Sequence, residues 1–452
     1  MRKIHWKYIV CCAVMFCTSG LSAQQTLRLT QTECREMALA NNEKLKQSDN
    51  ALHQAELDRQ IAKTSFLPSF DGSATGIYGV PDTEIGETMK LQMRGTYMAG
   101  INLVQPLYTG GKLLAGKRLA EIAKETATEQ NRMTRMDVLV EADNAYWTYI
   151  AVRQKVKMMS SYHRQMDTLY NQTRAAVETG MATENDLLRI EAKRTEIHYQ
   201  MQKVENGADL CRLSLCQVIG VDFSTQIEAV DTVLTASEPD KLVSDIYERP
   251  ELNLLEKQVS AGKEQIKMAR SEMLPTVALT GNYMYYGNLN LKGMADDGSG
   301  TMVPFKQEYR DGMWMAMLTV KVPLFHWGAN MKKIRKARLE LRNYELELQR
   351  NSRLMSIEVQ QAIRNLQDGF HLISTARKGL EQAEENLRVM RNRYTEQMAP
   401  LTDLLDAQSQ WQQARSNLIE AQTQYKIYET QYLRAIGAVS YTHLRAHETS
   451  AH

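Results

Sequence analysis

The chain has 452 residues, of which 43% are hydrophobic, 7% aromatic and 24% charged, with 24 Gly, 9 Pro and 6 Cys. That balance excludes collagen-like, disulfide-framework and wholly disordered classes. A mean hydropathy of −0.44, and no run of about 18 apolar residues after residue 23, exclude a polytopic helical membrane protein.

Residues 1–23 read as a secretory signal. Arg2, Lys3 and Lys7 form its basic start, Tyr8 to Phe16 its apolar stretch, and Ser22-Ala23 a small-residue exit. A lipid attachment at Cys11, Cys12 or Cys17 is disfavoured because Val10, Cys11 and Phe16 precede them. Removing the signal takes away three positive charges and turns the formal net charge from +2 to −1, so nucleic-acid binding has no compositional support. Cys34, Cys211 and Cys216 are left. An odd number without framework spacing reads as small apolar residues rather than a disulfide set.

The first helix is expected over Glu33 to Thr64, followed by two strands, a very long helix over Lys112 to Val177, a break and a further helix. The same order then recurs. Pro106 to Gly111 aligns with Pro323 to Gly328 at an offset of 217, as do Asp186-Leu-Leu188 with Asp403-Leu-Leu405, Met181 with Met398, and Ile219-Gly220 with Ile436-Gly437. Leu67-Pro68 aligns with Leu274-Pro275 at 207, so the second copy carries ten extra residues, placed in an enlarged Gly/Asp/Asn-rich loop from Gly287 to Gly312. The second copy offers helices over Glu251 to Glu272 and Ala329 to Tyr394. The expected division is therefore signal 1–23, first repeat 24–232, second repeat 233–439 and a tail 440–452. The tail resembles a translated sequencing-library adapter and is left out of the fold; His443 and His447 lack a third ligand for a metal.

A helix of some 66 residues is a rod of about 100 Å, roughly three times a bilayer's hydrocarbon thickness. Its packing face is legible. Val359, Ala362, Leu366, Gly369, Ile373, Ala376, Leu380, Ala383, Leu387, Met390 and Tyr394 alternate steps of three and four, the pattern of a left-handed coiled coil. The first copy's stripe, Ala142 to Val177, is interrupted by His163 and Thr173, and His163 reads as a partnered seam histidine. The basic cluster Lys332 to Arg338 is followed by Glu340, Glu345 and Glu347, as on a solvated, ion-paired helix face.

Four segments alternate with period two: Phe70 to Tyr78, Thr96 to Leu103, Val277 to Tyr286 and Met313 to Val322. About ten residues per strand suits a transmembrane β-strand, with Tyr78, Tyr97, Tyr283, Tyr285, Tyr286 and Trp314 as interface aromatics. Two soluble hairpins capping a coiled coil are the plainer reading. In lipid, two hairpins leave open edges that a bilayer does not tolerate, and four strands are fewer than the smallest usual barrel of eight. A membrane reading therefore demands several chains per barrel. Pro81 to Lys90 is expected to be a short polar loop. The run Asp296-Asp297-Gly298-Ser299-Gly300 lacks the spaced ligands of a calcium loop.

With these features assembled, the chain resembles the TolC-type outer-membrane efflux duct family over essentially all of its length up to Val439. The resemblance rests on the duplicated order, the Leu-Pro strand entries at Pro68 and Pro275, the exits at Pro106 and Pro323, and the segments Gly180 to Leu188 and Asp403 to Gln408. It implies an α+β membrane duct. A long coiled-coil α-helical barrel crosses the periplasm, and an intersubunit transmembrane β-barrel with four strands per chain sits in outer-membrane lipid. It also implies a homotrimer that docks a periplasmic adaptor (membrane fusion) protein and an inner-membrane efflux pump.

The resemblance places the tunnel's closed entrance and adaptor contacts at the helix breaks: Gly180, Met181, Ala182 and Thr183, with Met398, Ala399, Pro400 and Leu401. Ordinary surface turns are the bland alternative. Thr183 or Asn185 can cap the helix after the first break, and Gln397 stands where the family often has glycine. Asp403 and Asp406 share one helical face and would line the narrowest point, although Asp403 can also be read as a cap. Tyr394 and Asp186 fall where the family has a gate-closing aromatic and its carboxylate, while Ala399 stands where members carry a basic gate residue. No nucleophile elbow, phosphate loop or metal cluster is legible, so no enzyme activity, cofactor or metal is expected. The expected role is a passive export channel. A soluble periplasmic coiled-coil scaffold, or a surface adhesin or phage receptor using the 287–312 loop, are the competing readings.

Overall fold

A computed structural model describes residues 26–86, 89–231, 242–296, 298 and 300–438. The signal, the tail from Ser440 and the adjoining Val439, the junction between the two repeats, and Asp297 and Ser299 lie outside the described residues. In chain order the elements are β1 (Thr26–Leu29), α1 (Gln31–Asn41), α2 (Glu43–Thr64), β2 (Ser69–Tyr78), β3 (Thr83–Ile85), β4 (Met89–Gln92), β5 (Arg94–Thr109), α3 (Lys112–Glu178), α4 (Glu184–Ile219), β6 (Gln226–Ala229), α5 (Pro250–Ser271), β7 (Thr276–Asp296), β8 (Met302–Lys321), α6 (Ala329–Thr395) and α7 (Leu401–Ala435). The two long helices start and stop 217 residues apart, and the helices after the breaks start 217 apart. The repeat register is thus carried by the helix ends.

The chain divides into two compact units. One holds residues 26–49, 130–252 and 351–438 and is almost wholly helical. Its packing follows the heptad reading in the second copy. Val359, Leu366, Ile373 and Leu380 of α6 are buried against Leu418, Tyr425 and Tyr432 of α7. In α3 the buried face is wider than one seam, since Tyr146, Trp147, Ile150, Met158 and Tyr162 are buried beside Ala142, Tyr149, Met159 and Met166. His163 bonds Asp167 at 3.1 Å.

Three local features differ from expectation. The first helix starts two residues early, because Thr30 and Glu33 form a capping box. It also breaks at Asn42, whose side chain accepts from Lys44 N and donates to the Val218 carbonyl. A two-stranded parallel sheet, β1 with β6, has too few residues to show a period and was not legible. Finally, Asp143 is buried within the helical stripe. It accepts from Arg35 Nε at 2.7 Å, Arg35 Nη2 at 2.5 Å, Gln31 Nε2 at 3.1 Å and Thr430 Oγ1 at 3.0 Å, tying α1 and α7 to α3. A second ionic cluster surrounds Arg249, which is 2% exposed. It pairs with Glu358 at 2.8 Å and Glu251 at 3.2 Å, and Arg434 lies 3.7 Å from both carboxylates.

The other unit, residues 50–129 and 253–350, carries an antiparallel sheet of six strands. The four long ones run in the order β2-β5-β7-β8; β4 joins the far part of β7 on the β5 side, with β3 outside it. β2 and β7 begin directly after Pro68 and Pro275, as the sequence predicts. Pro106 does not end its strand. It sits inside β5 at a register shift, where the missing N–H interrupts the ladder. Both segments expected to be loops contain strand: β3 and the start of β4 fall within Pro81 to Lys90, and β7 and β8 extend through most of Gly287 to Gly312. Asn and Gly there mark a bulge at Asn288 (φ 56°) and a turn in which Asp296 Oδ1 accepts from Gly298 N and Gly300 N. The basic cluster of α6 is ion-paired, with Lys333 bonded to Glu272 at 2.6 Å.

Candidate channel gate and membrane-facing sheet

Near the helix breaks one apolar core gathers four helices. Met158, Tyr162, Met166 and Leu169 of α3 pack with Ile190 and Ile197 of α4, Leu387 of α6, and Leu401 and Leu404 of α7. Both breaks have the same backbone. Gly180 (φ 72°) donates to Val177 O and Met181 to Ala176 O; Gln397 (φ 59°) donates to Tyr394 O and Met398 to Arg393 O. These are paired Schellman closures, each placing one residue in the left-handed region. The helices that follow start differently. Thr183 caps α4 in a box with Asp186, its hydroxyl 2.7 Å from the carboxylate, whereas Pro400 heads α7 with no side-chain cap.

The breaks present apolar tips to solvent, with Met181 70% and Met398 78% exposed. Thr183 and Pro400 are exposed, and Ala182 and Ala399 half-buried. Leu401 is buried in the core, so it anchors the turn and offers no surface. Asp403 and Asp406 are exposed on one face of α7, and the Asp403 carboxylate accepts from the neighbouring Thr402 hydroxyl at 3.4 Å. Tyr394 and Asp186 have separate partners: Tyr394 Oη lies 3.3 Å from Thr173 Oγ1, and Asp186 serves the Thr183 cap. Arg194 is bonded to Asp167 at 2.6 Å and stacked 5.1 Å over Tyr170. Its spacing from Asp167 across the break gave no sequence signal.

The sheet separates its residues by side. Cross-strand rows on one side read Phe70-Leu103-Gly281-Ala316, Gly72-Ile101-Tyr283-Trp314 and Ala74-Ala99-Tyr285-Gly312. The rows between them, on the opposite side, read Asp71-Asn102-Asn282-Met315, Ser73-Gly100-Met284-Met313 and Thr75-Met98-Tyr286-Asp311. In these rows the first side is apolar and aromatic, with Tyr283 and Trp314 rings 4.6 Å apart and Tyr97 and Tyr285 6.3 Å apart. Tyr286 falls on the other side, away from the aromatics it was grouped with. Strand alternation thus makes one apolar surface and one on which Asp, Asn, Ser and Thr stand among methionines. The outer strands β2 and β8 each pair on one edge alone among the described residues.

Long paired helices closed by tight turns, joined to a sheet apolar on one side, define the fold of TolC-type outer-membrane channels. The crystal structure of the Campylobacter jejuni CmeC outer membrane channel superposes with a TM-score of 0.74 at 17% identity, over 90% of this chain and 86% of that one. The chain belongs to the outer membrane efflux protein family, whose model matches residues 34–210 and 245–438. Relatives include the probable efflux pump outer membrane protein TtgC of Pseudomonas putida, 23% identical over 88% of this chain and 81% of its own. The outer membrane protein TolC of Vibrio cholerae is 22% identical over 76% of this chain and 77% of its own. The protein is accordingly an outer-membrane transport protein, its helical part on the periplasmic side.

Proposed function

We propose that three copies of this chain form a passive export channel, fed by a periplasmic adaptor and an inner-membrane pump, that conducts solutes outward without bond chemistry. The observation that carries this reading is the sheet: an apolar side, a side that carries the polar residues, and outer strands β2 and β8 that each pair on one edge alone among the described residues. Unpaired backbone groups cost several kcal/mol each in hydrocarbon. Sister chains that continue the sheet from β8 to the next β2 satisfy both edges, put the apolar side toward lipid and leave the polar side around water. The family membership and the relatives' efflux roles support the same reading.

Within that reading Asp403 and Asp406 line the entrance. Gly180 to Thr183, with Met398 to Pro400, meet the adaptor through their exposed methionines, and Leu401 holds the second turn from beneath. Tyr394 and Asp186 stabilise the closed tips through Thr173 and Thr183 rather than through each other. The division into repeats 24–232 and 233–439 belongs to the same proposal, each repeat supplying one hairpin and one coiled-coil pair. The experiment is native mass spectrometry of the detergent-extracted protein together with planar-bilayer recording. A trimer with discrete conductance steps is expected; a monomer extracted without detergent would show the scaffold reading to be correct.

A further inference from the structure

The sheet does not keep its apolar side along its whole length. β7 runs for 21 residues and β8 for 20, about twice the 9–11 that cross a bilayer. On β8 the residues on the lipid side near the helices are Trp314, Ala316, Leu318 and Val320; farther along the same alternation stand Arg310, Glu308 and Lys306. Arg310 Nε, 2.6 Å from Tyr285 Oη, marks that it lies on the Tyr285 side. The opposite side inverts in the complementary sense, from Asp311 and Lys321 flanking the methionines to Tyr309, Phe305 and Val303, with Gln307 as the polar member of that row.

The inversion is built into the backbone. At Asn288 (φ 56°) β7 contains one residue more than β8: Tyr286 faces Asp311, and the next pair is Leu289 with Tyr309. The Asn288 side chain holds this bulge by donating to the Arg94 and Gly95 carbonyls. One extra residue moves all subsequent side chains of β7 to the other side. Leu289 and Leu291 thereby join Tyr309, Phe305 and Val303, and β4 adds Leu91 opposite Leu291. The former apolar side now carries Lys292 beside Lys90, which pairs with Glu84 at 3.0 Å.

We infer that the distal sheet, residues 83–85, 89–92, 289–296 and 302–310, is a collar beyond the membrane whose apolar inner side packs against the same side of sister copies over the channel mouth. The inference rests on the channel reading. The charged outer side cannot face lipid, and a bilayer's thickness is already used by Thr276 to Tyr286. On the inner side, Val303 and Tyr309 are 39% and 36% exposed in the single chain. The apolar surface available at that level around the axis is the equivalent one of the other copies. Such a ring narrows the mouth by excluding water, as hydrophobic constrictions do.

The test uses the full-length protein with Phe305→Cys and, on the outer side, Lys306→Cys, treated with a short bis-maleimide in membranes. Leu291→Asp/Phe305→Asp is recorded in planar bilayers beside it. Expected are cross-linked subunits for Phe305→Cys alone and a conductance about twofold or more above the parent for the double variant, because charge rewets the constriction. Conducting trimers in which Phe305→Cys stays uncross-linked and the double variant conducts like the parent overturn the collar and leave the channel intact. Absence of trimers in the parent overturns the channel itself.

Discussion

Gln397 adopts the left-handed backbone of Gly180, its counterpart 217 residues earlier, with φ 59° against 72°. A side chain in that conformation costs about 1 kcal/mol that glycine avoids. Gln397→Gly is therefore expected to raise the melting temperature, by roughly 1–2 °C for a chain of this size given about 1 kcal/mol. Gly180→Ala should lower it by a similar amount. Circular dichroism during heating reads both, and a fall for Gln397→Gly or a rise for Gly180→Ala would show that the two turns are not equivalent.

Asp143 joins three helices through Arg35, Gln31 and Thr430. Asp143→Ala strands the Arg35 guanidinium in a mostly buried position and is expected to cost about 3 kcal/mol. The double variant Asp143→Leu/Arg35→Met should recover part of that loss. Denaturant midpoints of the three proteins measure the coupling, and additive losses would contradict it.

Burial pushes the Glu251 carboxyl up, but its hydrogen bond from Arg249, its backbone contacts and the charges of Arg249 and Arg434 more than offset this and hold it below the ordinary value of 4.5. A depressed carboxylate contributes stability that is fully present above the unfolded value and is lost as pH falls through the folded one. Thermal stability should thus decline on acidification below about pH 4.5, and Glu251→Gln should flatten that part of the curve while lowering the plateau at pH 7. Melting temperatures from pH 7 to pH 3 check it.

Asp403 and Asp406 are exposed on one face of α7. If three copies bring them to the entrance, like charge there attracts cations. Asp403→Ala/Asp406→Ala is expected to reduce cation selectivity and block by multivalent cations. Unchanged reversal potentials and block in asymmetric salt would remove both residues from the gate.

Burial, then the nearby Asp143 carboxylate, pushes the Cys34 thiol up to about 12, against the pull of Arg35. A thiol that remains protonated and enclosed is a poor nucleophile. Maleimide at pH 8 should leave Cys34 unlabelled in the folded protein and label it after denaturation. Mass spectrometry of tryptic peptides distinguishes the two.

The methionine tips, the exposed aspartates and the break at Gly180 were legible because each depends on local spacing or on a single backbone conformation. The partners of Tyr394 and Asp186 were not. Thr173 lies 221 residues from Tyr394 in sequence, and no periodicity links positions brought together by packing. Glycine and asparagine between 287 and 312 were read as loop because their propensities favour turns. In the fold, Asn288 instead forms a bulge inside a continuous strand, and cross-strand pairing overrides the local preference.

By itself the sequence determined the recurrence of elements at 217 residues, the two long helices and their heptad faces, and the proximal strands. All of these follow from that offset and from periods of 3.5 and 2. Tertiary structure alone decided where the apolar side of the sheet inverts, which carboxylate is buried among three helices, and that Leu401 supports its turn from inside. The inversion depends on the register of β7 against β8 and on Asn288 reaching Arg94 and Gly95, and the other two on packing between helices far apart in sequence; no single segment contains those contacts.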